Sequence, residues 1–319
     1  MALAGGGAAF TLASWLVINF AWGILPEFVL NLARDPSLLE QPEAKQCGDC
    51  HKAIYEAWQK SRHSQAWISK TYIKASEDRT KEKCLNCHIP IEVRPGKKPD
   101  PRLNQRDEGI FCVSCHVKDG AMHGPHDLLA PPHPTRQDQE YNGSKFCGSC
   151  HEKTFKQWQL TEERDTCQSC HMPRTRKRLT QKPPLSWLHL EKWVGDHRFL
   201  HGEFEPGTPA VQFTFTKNHA VVTLENNTIP HDVPTADNGD PRLFLEVTLI
   251  DQNGEQWDRI REILAPQQET ALAYKSKRVF RYRVPDSVTE ARLNLRYQPA
   301  WAKEREAIYS YTFLRKETD

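Results

Sequence analysis

The sequence predicts a chain in three parts: one N-terminal transmembrane helix, a mainly α and irregular core, and an all-β, immunoglobulin-like sandwich at the C-terminus. Three observations carry this expectation. A run of 24 residues without charge extends from Ala2 to Leu25. All 10 cysteines lie between Cys47 and Cys170, arranged as Cys-x-x-Cys pairs. Beyond Glu205 there is no further cysteine, and apolar residues alternate with polar ones at the period of a half-buried strand. The boundaries implied are 1–33 for an anchor or uncleaved signal, 34–205 for the core and 206–319 for the sandwich.

The N-terminal run is long enough to cross a bilayer, which needs about 20 apolar residues. Trp15 and Trp22 suit the membrane interfaces. A cleaved export signal is the competing reading, but the run has neither a basic start nor a clear small-x-small cleavage site. A retained membrane anchor is therefore expected, with an orientation that lacks its usual sequence support.

In the core, each cysteine pair is followed at once by histidine. The five motifs are Cys47/Cys50/His51, Cys84/Cys87/His88, Cys112/Cys115/His116, Cys147/Cys150/His151 and Cys167/Cys170/His171, and no cysteine is left over. In this pattern two thiols form thioether bonds to porphyrin vinyl groups, and the adjacent histidine supplies the proximal nitrogen to iron. Zinc ribbons also use paired Cys-x-x-Cys, but they do not require a histidine after every pair. The motifs imply five covalently attached haem c groups. Thioether attachment follows export, so this part of the chain is expected on the outer, periplasmic or extracytoplasmic, face of the cytoplasmic membrane.

Composition agrees with a cofactor-filled core. Hydrophobic residues make up only 38% of 319 residues, low for a chain of this size unless something other than side chains fills the interior. Lys and Arg total 43 against 41 Asp and Glu, a formal net charge of +2, which offers no electrostatic case for nucleic acid.

The chain holds 14 histidines, so nine lie outside the motifs as possible sixth ligands. Two histidines on one iron give a low-spin centre with no open position, suited to electron transfer, whereas methionine would raise the potential. Met122 is the one methionine placed to compete. After His51, the run Ala53 to Ser64 lacks Gly and Pro and spaces Tyr55 and Trp58 as on a helix. His63 lies 12 residues beyond His51, about 18 Å along such a helix, too far for the same iron. As a ligand it would serve a different haem and draw two haems close. The Met122 to Pro134 stretch, rich in proline, reads as a loop in which at least two of His123, His126 and His133 are expected to be ligands.

The pattern Cys-Gly-x-Cys-His, aromatic, Trp recurs at an offset of one hundred residues, with Gly48, Tyr55 and Trp58 answered by Gly148, Phe155 and Trp158. At the place of His63 the second copy has Glu163, so it keeps the packing and loses the ligand.

Cys47-Gly48-Asp49-Cys50-His51 followed by Tyr55, Trp58, Ser61, His63 and Ala66 resembles the opening of cytochrome c554-type multihaem cytochromes. The resemblance runs from Gln46 to Pro173, through Gly109-Ile110-Phe111-Cys112 and Gly124-Pro125. It implies that His63 is an axial ligand, and His197 in Gly195-Asp196-His197-Arg198-Phe199 shares the family look.

In the C-terminal part, Val211/Phe213/Phe215, Leu243/Leu245/Val247/Leu249, Phe280/Tyr282/Val284 and Leu293/Leu295/Tyr297 alternate, with Asn253-Gly254 and Pro285-Asp286 as turns. About seven strands fit a sandwich. Pro230-His231-Asp232-Val233-Pro234-Thr235 resembles a His-x-Val-Pro-Thr segment in C-terminal domains of multihaem cytochromes, which implies that His231 reaches an iron. Ala236 departs from the more familiar His-x-Pro-Thr-Gly form.

Five attachment motifs within Gln46 to His171 leave about 25 residues for each, too little polypeptide to insulate neighbouring macrocycles. The function expected is electron transfer between redox partner proteins, within a membrane complex or a homo-oligomer, and not catalysis. The alternative is an oxidoreductase with one open haem acting on a small nitrogen or sulfur compound. Lysine in place of a motif histidine, which often marks the catalytic haem of multihaem nitrite reductases, does not occur here.

Overall fold

The computed structural model describes residues 34–126, 132–163, 165–201 and 204–315, with Ala13, Trp15, Phe28 and Leu32. It forms two compact units, one of residues 1–150 and 165–201, the other of residues 151–164 and 202–319. The expected transmembrane helix is corrected here: among the described residues no helix is long and apolar enough to cross a membrane. Most of Ala2 to Leu25 lies outside the described residues. An uncharged run is a property of composition and does not by itself make a membrane-spanning helix.

Between residues 34 and 315 the described α-helices are short: α1 (Ala44–Gly48), α2 (Lys52–Gln59), α3 (Lys70–Ala75), α4 (Glu82–His88), α5 (Cys112–His116), α6 (Glu152–Gln159), α7 (Cys167–His171) and α8 (Leu185–Leu188). Isolated helices below about 12 residues are marginal in water, so these depend on what packs against them. All but α6 belong to the first unit. There, β1 (Val117–Lys118), β2 (Ala121–Gly124) and β3 (Thr135–Gln137) form one small sheet, and β4 (Arg174–Lys177) pairs with β5 (Lys192–Gly195).

The first unit has little apolar core of its own. Among the described residues it has a buried apolar cluster of Ala44, Trp58 and Phe111, with Tyr55 packed against it. Backbone polar groups are gathered instead by Arg102, which is buried and donates to the carbonyls of Pro90, Asn104, Gln105 and Gly109 and to the Ser114 hydroxyl. Burial lowers its guanidinium to about 10, still cationic at neutral pH, and its face lies over the Phe111 ring at 4.7 Å. One arginine thus satisfies carbonyls that no regular element reaches.

In the second unit, β6 (Ala210–Phe215), β7 (His219–Asn226) and β10 (Ser276–Arg283) form a sheet in the order β10-β7-β6. The other sheet runs β12-β11-β8-β9, built from β8 (Arg242–Asp251), β9 (Gln256–Leu264), β11 (Val288–Gln298) and β12 (Glu306–Leu314). All pairings in both sheets are antiparallel. Ala220, Val222 and Leu224 of β7 meet Leu243, Leu245, Val247 and Leu249 of β8 and Leu293 and Leu295 of β11 in one core. The period of two puts these residues on the inner faces.

Candidate haem attachment sites

The five motifs take two local forms. In three of them one helical turn carries both cysteines, Cys84 and Cys87 in α4, Cys112 and Cys115 in α5, and Cys167 and Cys170 in α7. Side chains three apart on a helix share one face, and the histidine ends each of these helices. In the first and fourth motifs the second cysteine stands outside the helix. Cys47 lies in α1 and Cys50 two residues past its end, while Cys147 lies in a 3-10 turn, Ser144–Ser149, that Cys150 closes. The turn is still held, since Cys50 N donates to Cys47 O and Cys150 N to Cys147 O, both at 3.2 Å. The histidine then stands just before the following helix, His51 before α2 and His151 before α6.

None of the ten cysteines is in a disulfide; Cys170 is exposed and the other nine, Cys87 and Cys150 among them, are half-buried. Among the described residues no group of three or more His, Cys, Asp or Glu side chains converges as on a bare metal ion. Haem asks for less, because the porphyrin supplies four of the six iron ligands and the chain only the axial two.

Each motif histidine has its Nδ1 against an oxygen. His51 meets Leu179 O at 2.7 Å, His88 meets Ala66 O at 2.5 Å, His116 meets His123 O at 2.7 Å and His171 meets Leu200 O at 2.5 Å. His151 instead faces a carboxylate, Asp237 Oδ2, at 3.4 Å. An acceptor at Nδ1 holds the proton there and makes Nε2 the lone-pair nitrogen, the arrangement of a metal-binding imidazole. Burial lowers the His51, His88 and His116 imidazoles below their usual range, which favours the neutral form that a metal binds.

Two further imidazoles lie opposite motif histidines. His133 stands 6.3 Å from His51 and His197 stands 6.2 Å from His116, centroid to centroid. With each nitrogen about 2.0 Å from a metal and about 1.15 Å from its ring centre, two imidazoles on opposite sides of one iron have centroids about 6.3 Å apart. Burial, reinforced by the neighbouring His51, lowers His133. Burial and then the nearby His116 push His197 down to about 4, while its Nδ1 meets Gly195 O at 2.9 Å.

The other sequence candidates are placed less directly. His63 does not lie on a helix through Ser64: α2 ends at Gln59, and Ser64 Oγ then donates to the carbonyls of Gln59 and Ser61. These hydroxyl bonds compete with continued helix, and the chain turns. The His63 ring packs on Phe199 at 4.3 Å, and Leu200, the next residue, exchanges backbone and ring contacts with His171. Gly109, with φ +61, permits the approach that fixes His63, since a Cβ there would stand 2.6 Å from the His63 carbonyl oxygen. His123 lies in β2, with Nδ1 3.5 Å from Asp138 Oδ2 and a buried Nε2 that has no hydrogen-bond partner. His126 is half-buried and bonded to the Trp193 backbone, and burial lowers it. His231 sets Nδ1 2.8 Å from Asp232 O. Met122, paired with Val117 in the β1–β2 ladder, is brought to no motif histidine by any of these contacts.

Cysteines of different motifs also meet. The Cys47 and Cys112 thiols hydrogen-bond, which lowers Cys47 and, with burial, raises Cys112. Cys147 and Cys167 do the same, raising Cys147, and Cys115 lies within electrostatic range of Cys147.

Sequence reasoning missed the surroundings of α6. The internal repeat is visible in the elements themselves, since Lys52–Gln59 and Glu152–Gln159 stand one hundred residues apart. Tyr55–Trp58 and Phe155–Trp158 ring pairs form at 5.8 and 5.6 Å. The second copy is clamped by the segment after His231: Gln157 bonds the Asp232 carboxylate and the Thr235 hydroxyl, and Lys153 N and Thr154 Oγ1 donate to Asp237. Burial opposes ionisation of Asp237, but the contacts from His151, Lys153 and Thr154 hold it below the usual carboxylate range. Glu163, at the place of His63, receives the Tyr274 hydroxyl. The only sequence signal for this clamp was the resemblance around His231, which says nothing of Asp237.

Paired thiols, histidines with acceptor-bound Nδ1 and facing imidazoles at iron-spanning distance fit covalently bound haem, and together with the fold they define a multihaem c-type cytochrome. More particularly, residues 46–117 match the family described as cytochrome c554 and c-prime. A penta-heme cytochrome c552 from Thermochromatium tepidum shares the fold, with a TM-score of 0.62, 16% identity, and coverage of 86% of this chain and 99% of that one. A glycosyl hydrolase family 2 member from Bacteroides cellulosilyticus is similar over 32% of this chain and 12% of its own, at 11% identity and a TM-score of 0.18, which is too low to bear on the argument. A search of curated proteins finds no match. The family match supports covalently bound haem c and electron transfer, and the structural likeness supports the fold.

Proposed function

We propose that this cytochrome carries five haem c groups, one at each motif, and passes electrons along them between a donor and an acceptor protein outside the cytoplasmic membrane. Multihaem c-type cytochromes are typically periplasmic or extracytoplasmic. When bound, each haem supplies an iron that cycles between ferric and ferrous, while the polypeptide sets ligation, spacing and potential.

The ligand geometry supports His133 as the partner of His51 and His197 as the partner of His116. His63 is assigned to the iron held by His171, because Phe199 packs on His63 and the adjoining Leu200 anchors His171. His123, His126 and His231 remain for the second and fourth irons, those attached through Cys84 and Cys87 and through Cys147 and Cys150.

The observation that carries the conduit reading is the meeting of thiols from different motifs. Cysteine sulfurs bond to the porphyrin edge, so Cys47 beside Cys112 and Cys147 beside Cys167 bring attachment edges together in pairs. With Cys115 near Cys147, the order supported is first, third, fourth and fifth motif. Electron paramagnetic resonance of the oxidised protein tests this. Coupled spectra with broadened signals are expected, and five independent signals accounting for all the iron would reject a contiguous chain.

A further inference from the structure

Four of the five motif histidines give Nδ1 to a neutral backbone carbonyl, whereas the histidine of the fourth motif, His151, faces the carboxylate of Asp237. That carboxylate is largely buried, with its side chain 15% exposed, and it is fixed by Lys153 N and by Thr154 Oγ1 at 3.2 Å. It belongs to the segment whose Asp232 and Thr235 grip Gln157 of α6, and Val233 anchors that segment in the sandwich core by a two-bond bridge to Leu272. These contacts run without a break from the core of the sandwich to the histidine.

We propose that Asp237 is a positioning residue for the fourth haem that makes its iron the most reducing of the five for a given sixth ligand. The reading rests on haem attachment at the fourth motif. A carboxylate at Nδ1 draws the ring proton and makes Nε2 a stronger donor, and its negative charge stabilises ferric over ferrous iron. A backbone carbonyl offers a dipole in place of a full charge, so the other four irons receive less of both effects. The β-sandwich then has an electronic role, because it delivers one anion to one ligand and thereby grades the driving force along the chain. Thr154 separates this role from mere support of α6, since its hydroxyl ties the helix to Asp237 and Thr235 without touching the imidazole.

The test is spectropotentiometric titration of the full-length holoprotein, comparing the parent with Asp237→Asn and Thr154→Val, with haem per chain counted for each. Asp237→Asn keeps the shape and an acceptor oxygen while removing the charge. The expected result is that one of five redox components moves to higher potential by at least a tenfold change in its reduction equilibrium, which is about 59 mV for one electron. The other four should stay in place, and Thr154→Val, which keeps the charge and removes one of the two contacts that fix it, should move the same component by less than half as much. Unchanged potentials in Asp237→Asn, or the same displacement in Thr154→Val, would overturn the proposal. A parent protein with no haem at the fourth motif by peptide mass would instead overturn the attachment on which it rests.

Discussion

Replacing His197 with alanine should convert one six-coordinate haem into a five-coordinate one. The two rings of the His116–His197 pair are 6.2 Å apart by centroid. That is the separation of two imidazoles that each place a nitrogen about 2.0 Å from one metal, with about 1.15 Å from nitrogen to ring centre. No room remains for water or another ligand between iron and His197, so the sixth position exists only if that imidazole is removed. The reduced variant should bind about one more equivalent of carbon monoxide per chain than the parent, and its oxidised form should show a new high-spin signal from about one haem in five. His201→Ala is the control, since His201 is exposed, sets Nδ1 3.0 Å from Phe199 O and is not in the assigned ligand set. Equal carbon monoxide uptake in parent and His197→Ala, with the low-spin spectrum intact, would show that His197 ligates no iron and that the centroid argument fails. His197→Met should keep six-coordination and raise the potential of that centre, as a histidine–methionine pair does.

Leu245→Ala, in the centre of β8 and 1% exposed, should cost about 2–5 kcal/mol by leaving a cavity between the sheets, and should lower the thermal transition of the sandwich without changing haem content. Gly109→Ala should cost about 1–3 kcal/mol from its backbone conformation alone and displace the His63 carbonyl, which electronic spectra of the holoprotein would register as an altered haem. Glu246→Gln tests pH linkage. Arg259 and then burial are the main influences on Glu246, and with Arg261 the arginines hold its carboxyl below the unfolded value. Its contribution is therefore present above the unfolded pKa and lost as pH falls through the folded one. The variant should be less stable by no more than about 1 kcal/mol at neutral pH, and the gap in denaturant titrations should close in acid.

Much of this was readable from residue order because its causes are local. Thioether chemistry demands two thiols and a histidine at fixed spacing, and strand alternation marks Leu243 to Leu249 and Leu293 to Tyr297 because one face must be buried. The same spacing does not dictate one backbone form, since Cys87 closes a helical turn whereas Cys150 ends a 3-10 turn. The one-hundred-residue repeat likewise reappears as two helices of equal length. The extent of α2 was overread, because helical spacing of Tyr55 and Trp58 cannot reveal that the Ser61 and Ser64 hydroxyls will bond the backbone. The membrane span was overread for a related reason, since an uncharged run reports composition and not packing. The proposed distal partners depend on long-range closure: His133 lies near His51 across 82 residues and His197 near His116 across 81, separations at which no local pattern decides pairing. Asp237 was silent in the sequence because an aspartate in a turn has many uses, and only the fold brings it to His151.

The central claim is that each Cys-x-x-Cys-His motif holds a haem. Peptide mass analysis of purified holoprotein, combined with the pyridine haemochrome spectrum, tests it most directly. Five thioether-linked haems per chain, one on each peptide containing Cys47 and Cys50, Cys84 and Cys87, Cys112 and Cys115, Cys147 and Cys150, or Cys167 and Cys170, is the predicted result, and unmodified thiols or bound zinc at any of these peptides would contradict it.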